Sequence, residues 1–158
     1  MSRSFPDCSR RRFMTDTHGN DAIPEDVAAL LMESAREAAT RAYVPYSDFP
    51  VGAAVLTEDG SIVSGVNIEN ASYGLTICGE RVAMFTAAAQ GHRTIRAVAV
   101  SAPRHPGTTP CGACRQVLNE FKPETGDLLI LLDTGSAPVR VTLDSLLPNA
   151  FGPRDLDV

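Results

Sequence analysis

The stretch CGERVAMFTAAAQGHRTIRAVAVS, residues 78–101, decides the fold. Residues 78–90 read as a helix that Gly91 stops, and residues 95–101 as an apolar strand. The same alternation continues downstream. Residues 103–110 form a proline-bounded loop, 111–121 a further helix, and 128–132 a strand apolar enough to be covered on both faces. A weak strand at 138–141 and a short helix at 143–147 follow. Upstream, Pro24 opens a helix with Glu25 and Asp26 in its first turn, where the helix dipole favours acid. Val27, Leu30, Leu31, Ala35, Ala38 and Ala42 fall on one face of it at helical spacing. Pro45 and Pro50 keep the segment 43–50 from continuing that helix. Residues 51–56 and 61–68 read as a hairpin turned at Asp59-Gly60. Strands alternating with helices predict an α/β fold, a three-layer α/β/α sandwich with a mixed central sheet.

The 158 residues suffice for one domain, expected over residues 23–158, and no internal repeat or linker divides it. A chain this long buries roughly two thirds of its unfolded surface and needs no disulfide staples. The formal charge of −5 argues against general nucleic-acid binding, which depends on neutralising phosphates. It leaves room for a nucleoside, which has no phosphate. Residues 1–22 are expected to be a disordered tail. They contain Ser9-Arg10-Arg11-Arg12-Phe13-Met14, similar to a twin-arginine export signal, but the polar residues 15–21 supply no apolar segment behind it. Met14 offers an alternative start. No apolar run approaches the ~20 residues of a membrane helix, so the chain is expected to be cytoplasmic.

Of four cysteines, Cys8 lies in the tail. Cys78, Cys111 and Cys114 form an odd set of three, which suggests metal or catalysis where disulfides are rare. Both Cys78-Gly79-Glu80 and Pro110-Cys111-Gly112-Ala113-Cys114 open expected helices. Cys111 and Cys114 share a helix face, and a helix start favours thiolate over thiol. Three thiolates leave one tetrahedral position open, the mark of a catalytic zinc rather than a structural one. Glu80 is too close to Cys78 to be a relaxed fourth ligand, yet near enough to move a proton at that open position. Three thiolates on one Zn²⁺ sum to −1, which weakens the metal as a Lewis acid. Arg81 and Arg115 each follow a key residue, and are expected to hydrogen-bond the thiolates and draw off charge.

Other readings of these residues are blander. A Cys-x-x-Cys pair can be redox-active, but a third distant cysteine does not belong to that arrangement. A structural zinc site wants a fourth ligand, and His92 and His105 stand in loop-like segments without ligand spacing, while His18 lies in the tail.

With these motifs in hand, the chain resembles the short, zinc-dependent cytidine deaminases. The resemblance runs from about Pro24 to Leu156. It rests on Pro45-Tyr46-Ser47-Asp48-Phe49-Pro50-Val51-Gly52-Ala53, Asn67-Ile68-Glu69-Asn70-Ala71, Cys78-Gly79-Glu80-Arg81, Pro110-Cys111-Gly112-Ala113-Cys114-Arg115-Gln116, Leu146-Leu147-Pro148 and Phe151-Gly152-Pro153. The Cys-x-Glu and Pro-Cys-x-x-Cys pair marks the wider zinc deaminase superfamily. The Asn-x-Glu-Asn block narrows it to free nucleosides.

The resemblance implies one Zn²⁺ per chain on Cys78, Cys111 and Cys114, and deamination of cytidine and deoxycytidine in pyrimidine salvage. Zinc-bound hydroxide would attack C4 while Glu80 shuttles protons. Asn67 and Glu69 would bind the ribose 3′-hydroxyl, Phe49 would lie against the base, the Gly79 amide would meet the base O2, and the Thr109 carbonyl would receive the amino group. Tyr46, Tyr73 and Phe151 would act across subunit boundaries in a homotetramer, with Phe151 closing a neighbour's site. Gly79 stands where the family often has Ala, and Ser72-Tyr73-Gly74 departs from the family's Cys-Tyr-Pro form. Competing expectations are the same chemistry on a nucleoside antibiotic or a nucleotide, and a non-catalytic zinc-stabilised module.

Overall fold

The computed structural model describes residues 23–156, so the expected N-terminal tail lies outside the described residues. The elements are α1 Glu25–Ala39, β1 Gly52–Thr57, β2 Ile62–Val66, α2 Gly79–Ala89, β3 Ile95–Ser101, α3 Gly112–Glu120, β4 Leu129–Leu132, β5 Val139–Thr142 and α4 Leu143–Leu146. Short 3-10 turns at Tyr73–Leu75 and Pro153–Asp155 complete them. The strands form one mixed sheet in the order β2-β1-β3-β4-β5. Only β3 and β4 run parallel; the other pairs are antiparallel.

Alternation along the central strands builds two cores. Ala53, Val55, Val98, Val100, Ile130 and Leu132 face Ala83, Met84 and Ala87 of α2 and Leu118 of α3. Ala54, Leu56, Ala97, Ala99, Leu129 and Leu131 face Val27, Ala28, Leu31, Met32 and Ala35 of α1. Helices therefore cover both faces, which is why β1 and β4 are buried along their whole length. The three-layer α/β/α sandwich with a mixed sheet is the arrangement the sequence implies.

The first helix is rotated from expectation. Its buried residues are Val27, Ala28, Leu31, Met32, Ala35, Ala38 and Ala39; Leu30 is only partly buried and Ala42 lies beyond the helix. Close approach to β1 is the cause. A Cβ on Gly52 would stand 2.1 Å from the Ala35 carbonyl and 2.3 Å from the Ala39 nitrogen, so α1 rests its Ala35–Ala39 side directly on the strand backbone. Gly65 does the same for α2 on β2.

Candidate active site

The end of β2 and the start of α2 are tied together by backbone. Tyr43 N–H donates to the Asn67 carbonyl at 3.0 Å, Glu69 N–H to the Tyr43 carbonyl at 2.9 Å, and Ile68 and Ile77 exchange both their bonds. This lattice delivers Cys78 to the start of α2. Cys111 caps α3 in the same way, and both cap residues are extended, with no hydrogen bond from their sulfurs to the helix. The two sulfurs are thus free to point away from the backbone and toward each other.

The Sγ atoms of Cys78, Cys111 and Cys114 all lie within 4.8 Å of one another. Cys78 and Cys111 are 3.9 Å apart, and Cys111 and Cys114 3.5 Å. Tetrahedral zinc with Zn–S bonds of about 2.3 Å wants sulfurs about 3.8 Å apart, so the donor set fits the metal. Neither His92 nor His105 belongs to the cluster.

Electrostatics prepare the thiols. The Cys78 thiol is drawn down to about 5 by the hydrogen bond from Cys114, helped by Arg81, whose Nη2 lies 3.6 Å from the sulfur. The Cys114 thiol, sharing that bond with Cys78 and fully buried, is pushed up. Glu80 is 4% exposed, and burial raises its carboxyl above the usual range. A carboxyl so placed holds a proton more readily than an exposed glutamate does.

Arg81 lies against the Cys78 sulfur, whereas Arg115, expected to hydrogen-bond the thiolates, points elsewhere. The hydrogen bonds of Arg115 run to the Pro110 carbonyl at 2.7 Å, the Leu146 carbonyl at 2.7 Å and the Thr109 hydroxyl at 3.1 Å. A guanidinium fork facing two carbonyls is spent on binding the Cys111 loop to the C-terminal segment.

Asn67 and Glu69 hold the proline-flanked segment. The Asn67 Oδ1 accepts from Val51 N–H at 2.9 Å, and its Nδ2 donates to the Phe49 carbonyl at 2.8 Å. Glu69 accepts from Tyr46 N–H at 2.9 Å, Ser47 N–H at 3.2 Å and the Ser47 hydroxyl. The Ser47 hydroxyl and these amides keep the Glu69 carboxyl below the usual carboxylate range. Gly79 is buried against the Val51 carbonyl, 3.1 Å from where a Cβ would stand. Tyr46 and Tyr73 pair at 5.8 Å, and with Ser47, Glu69 and Thr76 they line a cleft of about 290 Å³. Phe151 is 60% exposed, yet its carbonyl is pinned by Gln116 Nε2 at 2.9 Å and Asn119 Nδ2 at 3.1 Å. Asn119 was invisible to sequence reading. A single polar residue inside an amphipathic helix gives no signal of its partner.

Three cysteine sulfurs spaced to hold a zinc ion, with a buried glutamate two residues from the first of them, are the parts of a zinc-dependent hydrolase. Residues 26–127 match the model of the cytidine and deoxycytidylate deaminase zinc-binding region, and the chain belongs to that family. It is 46% identical over 129 residues to a cytidine deaminase of Halalkalibacterium halodurans, covering 81% of this chain and 96% of that protein. It is 47% identical over 132 residues to a cytidine deaminase of Sporosarcina psychrophila, covering 83% and 95%. Among solved structures, a cytidine deaminase from Burkholderia pseudomallei superimposes with a TM-score of 0.72 at 44% identity, covering 78% of this chain and 98% of that one.

Proposed function

We propose that this chain hydrolyses the 4-amino group of cytidine and deoxycytidine, consuming one water and releasing ammonia with uridine or deoxyuridine. The observation that carries the reading is the buried carboxyl of Glu80, placed by the first turn of α2 beside the three-thiol cluster. Bound to Cys78, Cys111 and Cys114, zinc would supply Lewis acidity at its one open position. Glu80 takes a proton from the attacking water and delivers it to N3 of the cytosine, then carries the proton of the new C4 hydroxyl to the amine, which leaves as ammonia as the C4 carbonyl forms. Arg81 withdraws charge from Cys78 through its hydrogen bond to the sulfur.

The substrate side of this reading rests on the resemblance to the family. Phe49 lies against the base, the Gly79 amide meets O2, and the Thr109 carbonyl receives the leaving amine. Asn67 keeps one amide hydrogen beyond its two bonds to the 49–51 backbone, and with Glu69 it binds the ribose 3′-hydroxyl. The negative Glu69 disfavours a 5′-phosphate, so nucleosides are preferred to nucleotides. Tyr73, 74% exposed, and Phe151 are large aromatic surfaces that a neighbouring subunit of a homotetramer would cover, each completing that neighbour's site. No helix among the described residues is long and apolar enough to cross a membrane. The reaction belongs to pyrimidine salvage in the cytoplasm.

The test is loss of absorbance near the cytidine band, with cytidine, deoxycytidine and the 5′-monophosphate run in parallel and zinc measured on the same sample. Turnover of both nucleosides but not the nucleotide is expected. Zinc bound without turnover of any of them overturns the reading in favour of a binding module or another substrate.

A further inference from the structure

The loop between β3 and α3 delivers Cys111 to the thiol cluster. On its way it clasps the segment that carries Phe49. His105 stacks flat on Phe49, with ring centroids 4.3 Å apart and ring planes 13° apart. The preceding residue, Arg104, donates to the Asp48 carbonyl at 3.0 Å and also pairs with the Asp48 carboxylate. Asp48 has φ 53°, a left-handed conformation that aspartate adopts more readily than most residues with a side chain, and Arg104 fastens it there.

The loop is itself well fixed. His105 N–H donates to the Ala102 carbonyl at 2.8 Å, Thr108 Oγ1 donates to the His105 carbonyl at 2.6 Å, and Gly107 N–H donates to the Asp133 carbonyl at 2.7 Å. Phe49 is held from the other direction by Asn67 on its carbonyl and by the Ser47 hydroxyl, which accepts its N–H at 3.1 Å. The backbone of Phe49 is therefore anchored by Asn67 and Ser47, whereas its ring is anchored by His105. An aromatic ring anchored only through its backbone still rotates about χ1 and χ2. A second flat ring against one face removes that freedom.

We infer that His105 is a positioning residue for the nucleoside: it backs one face of Phe49 and leaves the other to the base. The inference rests on Phe49 being the base contact. His105 is outside the metal-ligand set. Its effect therefore falls on substrate binding and not on the chemical step. Ring pairs of this type change an equilibrium constant by about 2- to 12-fold.

The experiment is steady-state kinetics on cytidine with the zinc-loaded protein, with zinc content and thermal midpoint measured on each variant. His105→Ala is expected to raise KM about 3- to 10-fold, keep kcat within about twofold, and retain full zinc. His105→Phe, which keeps a flat ring, is expected to restore KM. Arg104→Ala should raise KM in the same sense by less. Phe49→Ala should raise KM, and adding His105→Ala to it should change nothing further. An unchanged or lowered KM in His105→Ala overturns the inference, and a lowered KM would mean that the imidazole occupies the place of the base. Loss of zinc or of kcat in His105→Ala also overturns it, because the loop would then matter only for seating Cys111. Failure of His105→Phe to restore KM overturns it as well. If Phe49→Ala leaves KM unchanged, the reading of Phe49 fails first and the inference falls with it.

Discussion

The side-chain amide of Asn67 spans the segment it is expected to serve: it donates to the Phe49 carbonyl at 2.8 Å while its oxygen takes the Val51 N–H at 2.9 Å. One residue thus holds the 49–51 backbone at two points, and in the proposed reading its remaining N–H serves the sugar. Asn67→Asp keeps the acceptor for Val51 but sets a carboxylate oxygen against the Phe49 carbonyl. Two oxygens facing each other repel, so the loop must move. The expected result is a fall in kcat/KM of about 100-fold, about 2.7 kcal/mol, within the range for losing a hydrogen bond to a charged or buried group. Kinetics with cytidine check it; a loss under about threefold would deny Asn67 the double role.

Glu80→Gln separates chemistry from architecture. The replacement is the same size and neutral. Burial raises the carboxyl in the folded chain, so at pH 7 the charged form is a burden on folding that the amide removes. Turnover should fall by about 10²–10⁴, the usual contribution of a positioned acid–base group. Zinc content should stay at one per chain, and the thermal midpoint should equal or exceed that of the parent. Retained turnover would remove the proton-shuttle role.

Much of this was legible in the chain. β3 is readable to the residue, because an apolar run between a turn and a proline loop has only one way to be covered. The helix opened by Cys78 ends where Gly91 and its φ of 99° require it to. The pairing of Cys111 with Cys114 was legible from spacing, since i and i+3 at a helix start share a face, and Cys78 from its place at the start of a second helix. Contacts between distant segments were not. Periodicity reports which face a residue occupies and says nothing of its partner, so the Arg115 fork on Pro110 and Leu146 was missed, as was the stacking of His105 on Phe49. The rotation of α1 escaped for a related reason. Leu30 is the larger and more apolar side chain, but Gly52 on β1 offers backbone contact only to small residues, and Ala35 and Ala39 take it.

Arg81→Gln tests charge withdrawal. Arg81 Nη2 is 3.6 Å from the Cys78 sulfur, while its Nε is buried without a hydrogen-bond partner among the described residues. Removing the guanidinium loses the sulfur contact but also relieves that unpaired N–H, so the two effects on folding oppose each other. We expect kcat to fall roughly tenfold and the thermal midpoint to shift by less than about 3 °C. Parallel kinetics and melting curves decide it. Unchanged kcat would mean that the sulfur contact has no part in turnover.

The acid limb of stability should pass through Asp133. Arg36 holds its carboxyl down to about 2 through a bidentate bond at 2.9 and 2.6 Å, with Ser101 and the Gly135 amide adding two more donors. A carboxyl depressed in the folded state stabilises fully above its unfolded value near 4, and the benefit disappears as pH falls through 2. Because the Arg36 side chain is 44% exposed, solvent screens the pair, and about 1–2 kcal/mol is expected at pH 7. Asp133→Asn should lose that amount at pH 7, with the gap to the parent closing between pH 4 and 2. Denaturant titrations of both proteins across that range measure it, and a gap independent of pH would assign the loss to packing.

Gly65 sets how closely α2, which follows Cys78 and carries Glu80, rests on β2. A Cβ there would stand 2.3 Å from the Ala83 nitrogen and 2.6 Å from the Gly79 carbonyl, both backbone atoms of α2. Backbone cannot rotate aside as a side chain can, so Gly65→Ala must push α2 off β2. The first turn of that helix carries Glu80 and follows directly from Cys78, so displacement there spoils the sulfur geometry. We expect a loss of about 3 kcal/mol, at the upper end for overpacking, together with less than one zinc per chain. Gly112 supplies the contrast. It opens α3 between two thiols, and no atom lies within 4 Å of the place its Cβ would take. Gly112→Ala should leave zinc at one per chain and stability unchanged or up by as much as about 1 kcal/mol, the helix preference of Ala over Gly. Urea midpoints and metal analysis on the pair distinguish a backbone contact that the centre requires from a glycine that is merely small. Equal losses in both variants would show that the clash at Gly65 is relieved elsewhere.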